Sequence, residues 1–125
     1  MAVTAEGDFL AGFLGDEPDE PVVMLNLLRF AEGGRAHYQQ YSKAFAETVA
    51  PRYGVEVVYA GDGEDPLVAE SGQQWDAVLL VRYPSRLAFS RMVADPAYRS
   101  IAHLRTKALS EAVLQPTRPW GRRRG

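Results

Sequence analysis

Residues 22–30 read VVMLNLLRF, an apolar run broken by one amide, Asn26, and one guanidinium, Arg29. A strand with one wet face alternates apolar and polar residues. This one does not: Val22, Met24 and Leu28 occupy one parity, and Val23, Leu25 and Leu27 the other. Such a run predicts a strand covered on both faces. Trp75–Tyr83 (WDAVLLVRY) repeats the pattern, with Val78 and Leu80 opposing Leu79 and Val81.

The segments around these two strands fall into a simple order. From Arg35 to Tyr53 the spacing is helical, with Tyr38, Tyr41, Phe45, Thr48 and Val49 on one stripe and Gly54 placed to cap the C-terminus. Val55–Ala60 (VEVVYA) predicts a strand, followed by a polar, turn-rich stretch over 61–74 with a small extended piece at Leu67-Val68. Pro84-Ser85 opens a helix carrying Leu87, Phe89 and Met92. Asp95-Pro96 restarts it as N-cap and first helical residue, and it runs to about Ser110. A short last strand is expected over Ala112–Gln115, before Pro116. Ahead of all this, Thr4 to Leu14 predicts an amphipathic helix capped by Thr4 and stopped by the Gly15–Pro21 breaker.

The order is helix, then β-α-β-β-α-β: an α+β, ferredoxin-like antiparallel sheet with two helices on one face and an extra N-terminal helix. The helices leave the other sheet face bare, yet its residues are apolar. A second copy of the same sheet is the simplest cover, so the chain is expected to pair with itself as a homodimer, a dimeric α/β barrel. The expected organisation is 1–20 for the leading helix and linker, 21–117 for the barrel domain and 118–125 for a basic tail.

Composition narrows the function classes. The chain has 125 residues, 46% hydrophobic and 24% charged, which suits one domain with its own core. A net charge of -2, with the one basic run at Arg122–Arg124, argues against nucleic-acid binding. The absence of cysteine excludes disulfides, thiolate nucleophiles and cysteine metal sites. No apolar stretch approaches the roughly twenty residues of a membrane span, and Glu6, Gly7 and Asp8 break any leader-like run. A cytoplasmic protein is expected, without membrane or nucleic-acid partners. Nucleophile-elbow, zinc-peptidase, P-loop and dinucleotide motifs are all missing.

Several segments resemble the uncharacterised family catalogued as domain of unknown function 1330, within the dimeric α/β barrel superfamily. The resemblance is carried by VVMLNLLRF, Tyr38-x-x-Tyr41, WDAVLLVRYPSRLAF, Met92, Asp95-Pro96-x-Tyr98, Arg105 and Ala108-Leu109. It covers roughly Pro21 to Pro116. It implies the fold and the dimer, and carries over no catalytic residues. The wider superfamily it points to includes cofactor-free monooxygenases, isomerases and cyclases, haem-degrading enzymes and non-catalytic binding proteins.

The residues themselves offer a short set of candidates. Asn26, a lone amide in a buried strand, reads either as a structural amide or as a donor to a substrate carbonyl or oxyanion. Tyr41 reads as a proton donor or orienter, and Asn26 and Tyr41 form the candidate catalytic pair. Candidate ligand-binding residues are Arg29, Trp75, Tyr98 and Arg105. Arg29, on the parity opposite Asn26, reads as an anion ligand or as one half of an ion pair across the dimer. Arg105 shares the apolar helical stripe of Tyr98, so its charge calls for a carboxylate or an anionic ligand. Tyr41 and Trp75 are expected nearest a cavity. The resemblance to the wider superfamily suggests a haem-enzyme trio that Asn26, Trp75 and His103 echo, but Trp75 falls too early and His103 one residue late, about 100° of helix rotation. Its helical face, with Arg99 and Lys107, reads as solvated. Asp62, Glu64 and Asp65 lack a calcium-loop spacing. No metal and no organic cofactor are expected. The leading hypothesis is a cofactor-free enzyme acting on a polar aromatic or polyketide-like compound. The rivals are a small-molecule-binding protein of the same fold and a purely structural dimer.

Overall fold

β1 forms over Val22–Phe30 and lies at the centre of a four-stranded sheet ordered β2-β3-β1-β4. β2 is Glu56–Asp62, β3 is Ala77–Tyr83 and β4 is Leu109–Thr117. Every neighbouring pair is antiparallel. The computed structural model describes residues 12–15 and 17–121. Of the expected leading helix, residues 12–14 are helical; its Thr4 cap and the rest up to residue 11, like the Arg122–Arg124 run, lie outside the described residues.

The two parities of β1 separate cleanly. Val22, Met24, Asn26 and Leu28 are buried under the helices, whereas Val23, Leu25 and Leu27 on the opposite face are half-buried. Leu25 pairs with Leu80 and Leu27 with Val78, so the apolar strip continues across β3, and Val113 of β4 extends it. No described helix covers that side. This is the split βαβ order, an α+β ferredoxin-like fold.

The first helical region departs from one continuous helix over 35–53. α1 spans Gly34–Ala44, a π-helical segment follows over Phe45–Val49, and a last turn, α2, closes at Ala50–Tyr53. Pro51 explains the slip. It has no N–H to donate, and its ring crowds the carbonyl four residues earlier. The Ala50 N–H instead reaches back five residues to the Phe45 carbonyl, and the Thr48 hydroxyl donates to the Ala44 carbonyl at 2.7 Å. Gly54 then ends the helix with φ 65°, as its position predicts.

β4 is longer than expected and begins earlier. Helix α4 (Pro96–Ala108) stops two residues before Ser110, because Leu109 turns extended and buries itself beside Leu28 and Ala108. The strand then runs through Pro116, which an edge strand tolerates. β2 is shifted to Glu56–Asp62 and carries a bulge between Val57 and Tyr59, which breaks the alternation read from its sequence. β3 begins at Ala77, leaving Trp75 and Asp76 in the preceding loop, and no strand forms at Leu67-Val68.

Helix α3 (Arg86–Ala94) is capped by the Ser85 hydroxyl, which accepts from the Ala88 N–H at 2.9 Å. α4 is capped by Asp95, which accepts from the Ala97 N–H at 2.7 Å. α1 and α4 cross where Gly34 meets the Ala108 backbone so closely that no side chain would fit. The core between sheet and helices holds Val22, Met24, Val49, Val81, Tyr83, Phe89 and Met92. Among the described residues no helix is long and apolar enough to cross a membrane.

Candidate functional site

Asn26 occupies the middle of the central strand, opposite Leu79 of β3 and Leu114 of β4. Its side chain points to the helices and is 7% exposed. The amide Nδ2 donates to the Met24 carbonyl at 3.5 Å, a long and weak bond. Above it lies a cavity of about 250 Å³, bounded by Asn26, Tyr41, Tyr83, Tyr98, Arg105 and apolar residues of α3 and β4.

Helix α4 builds the opposite wall. Tyr98, Ala102 and Arg105 follow one another at i, i+4 and i+7, so they share a stripe. The small side chain of Ala102 between two long ones leaves the space that the cavity fills. α1 contributes Tyr41, 8% exposed, whose hydroxyl stands 3.4 Å from that of Tyr98. Their rings meet edge-on with centroids 6.4 Å apart, and Phe45 from the π-helical segment packs edge-on against Tyr98 at 6.3 Å.

The site is rich in hydrogen-bond donors. The Arg105 guanidinium, 5% exposed, lies near the phenols of Tyr38, Tyr41 and Tyr83. Burial pushes all three phenols above their ordinary value, most strongly in Tyr41 and Tyr83, and Arg105 only partly opposes that push. These hydroxyls therefore stay protonated at neutral pH and act as hydrogen-bond donors. Among the described lining residues none is a carboxylate or an imidazole that could take a proton.

Asn26, Tyr41, Tyr98 and Arg105 are thus brought together; Arg29 and Trp75 are not. Arg29 projects from the opposite sheet face, where its Nε donates to Glu111 Oε1 at 2.7 Å. Its other nitrogens bond the carbonyls of Gln74 and Gly72, and its guanidinium lies 4.5 Å over the Trp75 ring. The pairing is within one chain rather than across a dimer. Trp75, expected beside the cavity, sits instead under Arg29, because the strand starts two residues later than its pattern suggests. The pair pins the loop before β3 to the sheet. His103 is exposed, as its helical face predicts. Among the described residues no cluster of three or more His, Cys, Asp or Glu side chains could hold a metal.

Tyr83 and Leu114 line the cavity without having been candidates from sequence, and Arg99, expected on a solvated face, is exposed but also borders the cavity. Tyr83 shares the helix-facing parity of Ala77 and Val81, and Arg99 follows Tyr98 on α4; only the packing of α3 over β3 shows that a space opens beside them.

Solved structures confirm the architecture. The chain is 28% identical to a protein of unknown function from Rhodopseudomonas palustris, RPA0582, with a TM-score of 0.83 over 95% of this chain and 97% of that one. A hydroxynitrile lyase from Passiflora edulis shares the fold at 14% identity, with a TM-score of 0.61, covering 80% of this chain and 94% of the lyase. A dimeric protein of unknown function and ferredoxin-like fold from Bacteroides fragilis aligns at 10% identity and a TM-score of 0.55, over 78% of this chain and 94% of that one. No curated protein sequence matches. Residues 30–115, from the end of β1 to near the end of β4, match the family described as domain of unknown function (DUF1330), and the chain belongs to that family.

Proposed function

We propose that the cavity over Asn26 binds a small organic anion or acidic enol with an apolar body. The observation that carries this is the convergence of Asn26, Tyr41, Tyr98 and Arg105 on one space of about 250 Å³. That is slightly below the common size of ligand pockets, roughly 300–1,000 Å³, and calls for a small ligand. Arg105 anchors the negative charge, the Tyr41–Tyr98 pair orients it, and the Asn26 amide donates to a carbonyl or enolate oxygen. The wall of Phe89, Met92 and Leu114 receives the apolar part.

The turnover we propose for such a site needs the protein only to stabilise charge that the substrate itself develops. A polar aromatic or polyketide-like enol meets that requirement. A non-catalytic binding protein of the same fold is the second reading, favoured by the lack of a proton acceptor among the described lining residues.

The test is calorimetric titration with small aromatic carboxylates and enols, with oxygen uptake and product formation followed in parallel. Binding weakened about tenfold or more in Arg105→Gln, with the fold intact, is the expected result. Binding indifferent to both Arg105→Gln and Asn26→Ala overturns the site.

The same reading includes self-association. Val23, Leu25, Leu27, Val78, Leu80 and Val113 form an apolar strip that no described element covers. A second copy buries that strip face to face, closing a dimeric α/β barrel.

A further inference from the structure

A second cavity of about 280 Å³ lies between α1 and the β2–β3 side of the sheet. Its floor is Ala60, Ala77 and Leu79, its roof is Tyr38, and at its mouth Arg35 and Asp62 pair at 3.0 Å. Gln39 and Ser42 are the neutral polar side chains of the lining; with the apolar floor and the self-compensated charges at the mouth, the space suits an uncharged group with an apolar body.

The two cavities are neighbours. Leu79 pairs directly with Asn26 across β3 and β1, on the same helix-facing side. Side chains so placed have Cβ atoms about 5 Å apart. One floor therefore continues from the Arg105 side to the Arg35 side. What divides the space above it is an aromatic wall: Tyr38 lies 5.4 Å from Tyr41, centroid to centroid, and 5.9 Å from Phe30 on its other side. Tyr38 lines the second cavity and Tyr41 the first.

We propose that Tyr38 is the partition that limits ligand length: the Arg105 compartment takes the acidic head and a short apolar body, and the Tyr38 ring shuts longer ligands out of the second compartment. This rests on the anion-binding reading of the first cavity. It assigns the site to short arylalkyl or alkyl carboxylates and their enol counterparts, and it makes Tyr38 a specificity-determining residue rather than a core aromatic.

The experiment is calorimetry on the full chain with a series of ω-phenylalkanoates, from phenylacetate to 6-phenylhexanoate. In the unsubstituted protein affinity should peak among the short members and fall for the longest. Tyr38→Ala should move the optimum to longer members, gaining roughly fourfold for each further methylene that enters the second cavity. Tyr38→Phe, which keeps the ring, should retain the original order. Adding Ala60→Phe, from the exposed edge strand, should refill the second cavity and cancel the gain.

A Tyr38→Ala protein that binds phenylacetate normally and keeps the original length order overturns the partition while leaving the anion site standing. A gain that survives Ala60→Phe does the same. Should Tyr38→Ala fail to fold, Tyr38→Leu shortens the side chain while keeping it apolar, and the same two outcomes decide. If the unsubstituted protein binds no member of the series, the anion reading falls and the length limit with it.

Discussion

Tyr41 and Tyr98 meet in the cavity wall, their hydroxyls 3.4 Å apart, although they lie 57 residues apart on helices α1 and α4. The contact ties α1 to α4 in the lining of the candidate site. Removing one hydroxyl leaves the other with less to bond in a buried place. Tyr98→Phe should cost about 1 kcal/mol, while the Tyr41→Phe/Tyr98→Phe pair should cost less than the sum of the single changes. A double-mutant cycle in urea measures this, and strict additivity would mean that the hydroxyls do not interact.

The raised phenols predict an alkaline limit to stability. A folded-state value above the ordinary 10.0 contributes stability below that pH and loses it as pH rises through the folded value. The unfolded chain ionises Tyr41 and Tyr83 above pH 10, whereas the folded chain resists. Unfolding free energy should therefore fall as pH climbs above 10, and Tyr83→Phe should flatten that fall. Denaturant titrations between pH 8 and 11 report it; an unchanged slope in the variant would show that Tyr83 is not responsible.

Glu20 offers one carboxylate oxygen to two arginines, Arg86 Nε at 3.1 Å and Arg118 at 2.7 Å, and its side chain is only 6% exposed. It joins the segment before β1 to the start of α3 and to the residue after β4. Glu20→Gln keeps the shape and removes the charge. It should destabilise the fold by about 2–3 kcal/mol, visible as a lower urea midpoint, whereas Arg118→Gln on the exposed side should cost under about 1 kcal/mol. Equal costs would place the weight of this cluster on the wrong arm.

Gly34 sits where α1 crosses α4. In an exposed helix, exchanging glycine for alanine stabilises by up to about 1 kcal/mol. Here the new Cβ would run into the Ala108 carbonyl, so Gly34→Ala should destabilise by roughly 1–3 kcal/mol instead. The sign of the change in thermal midpoint decides between the two effects.

The bare sheet face predicts the assembly state. Native mass spectrometry should give twice the 13.8 kDa chain mass, and Leu25→Lys with Leu80→Glu should yield the single-chain mass. Both substitutions lie on the face away from the cavity, so binding that survives them would show that one chain suffices for the site. A single-chain mass for the unsubstituted protein would remove the dimer.

Much of the architecture was legible in periodicity. The double-parity apolar runs at Val22–Phe30 and Val78–Val81 marked the two central strands, and Gly54, Ser85 and Asp95-Pro96 marked helix ends, because these signals are local. The misplaced boundaries have non-local or combined causes. Pro51 reads as an ordinary residue in a helical stripe until its effect on the carbonyl four residues back is followed into the π-helical turn. The early start of β4 reflects pairing with β1 across a bulge at Arg29–Phe30, which the sequence of β4 does not announce.

The candidate site divides the same way. That Asn26 and Arg105 are polar groups on apolar, inward faces follows from strand parity and helical stripe, both properties of the chain alone. That they share one cavity, that Arg29 and Trp75 stand together on the far side of the sheet, and that Tyr38 separates two spaces are decided only by the crossing of α1 over α4 and the register of β1 against β3. Periodicity sets which way a side chain points relative to its own backbone; tertiary packing alone sets what it meets there.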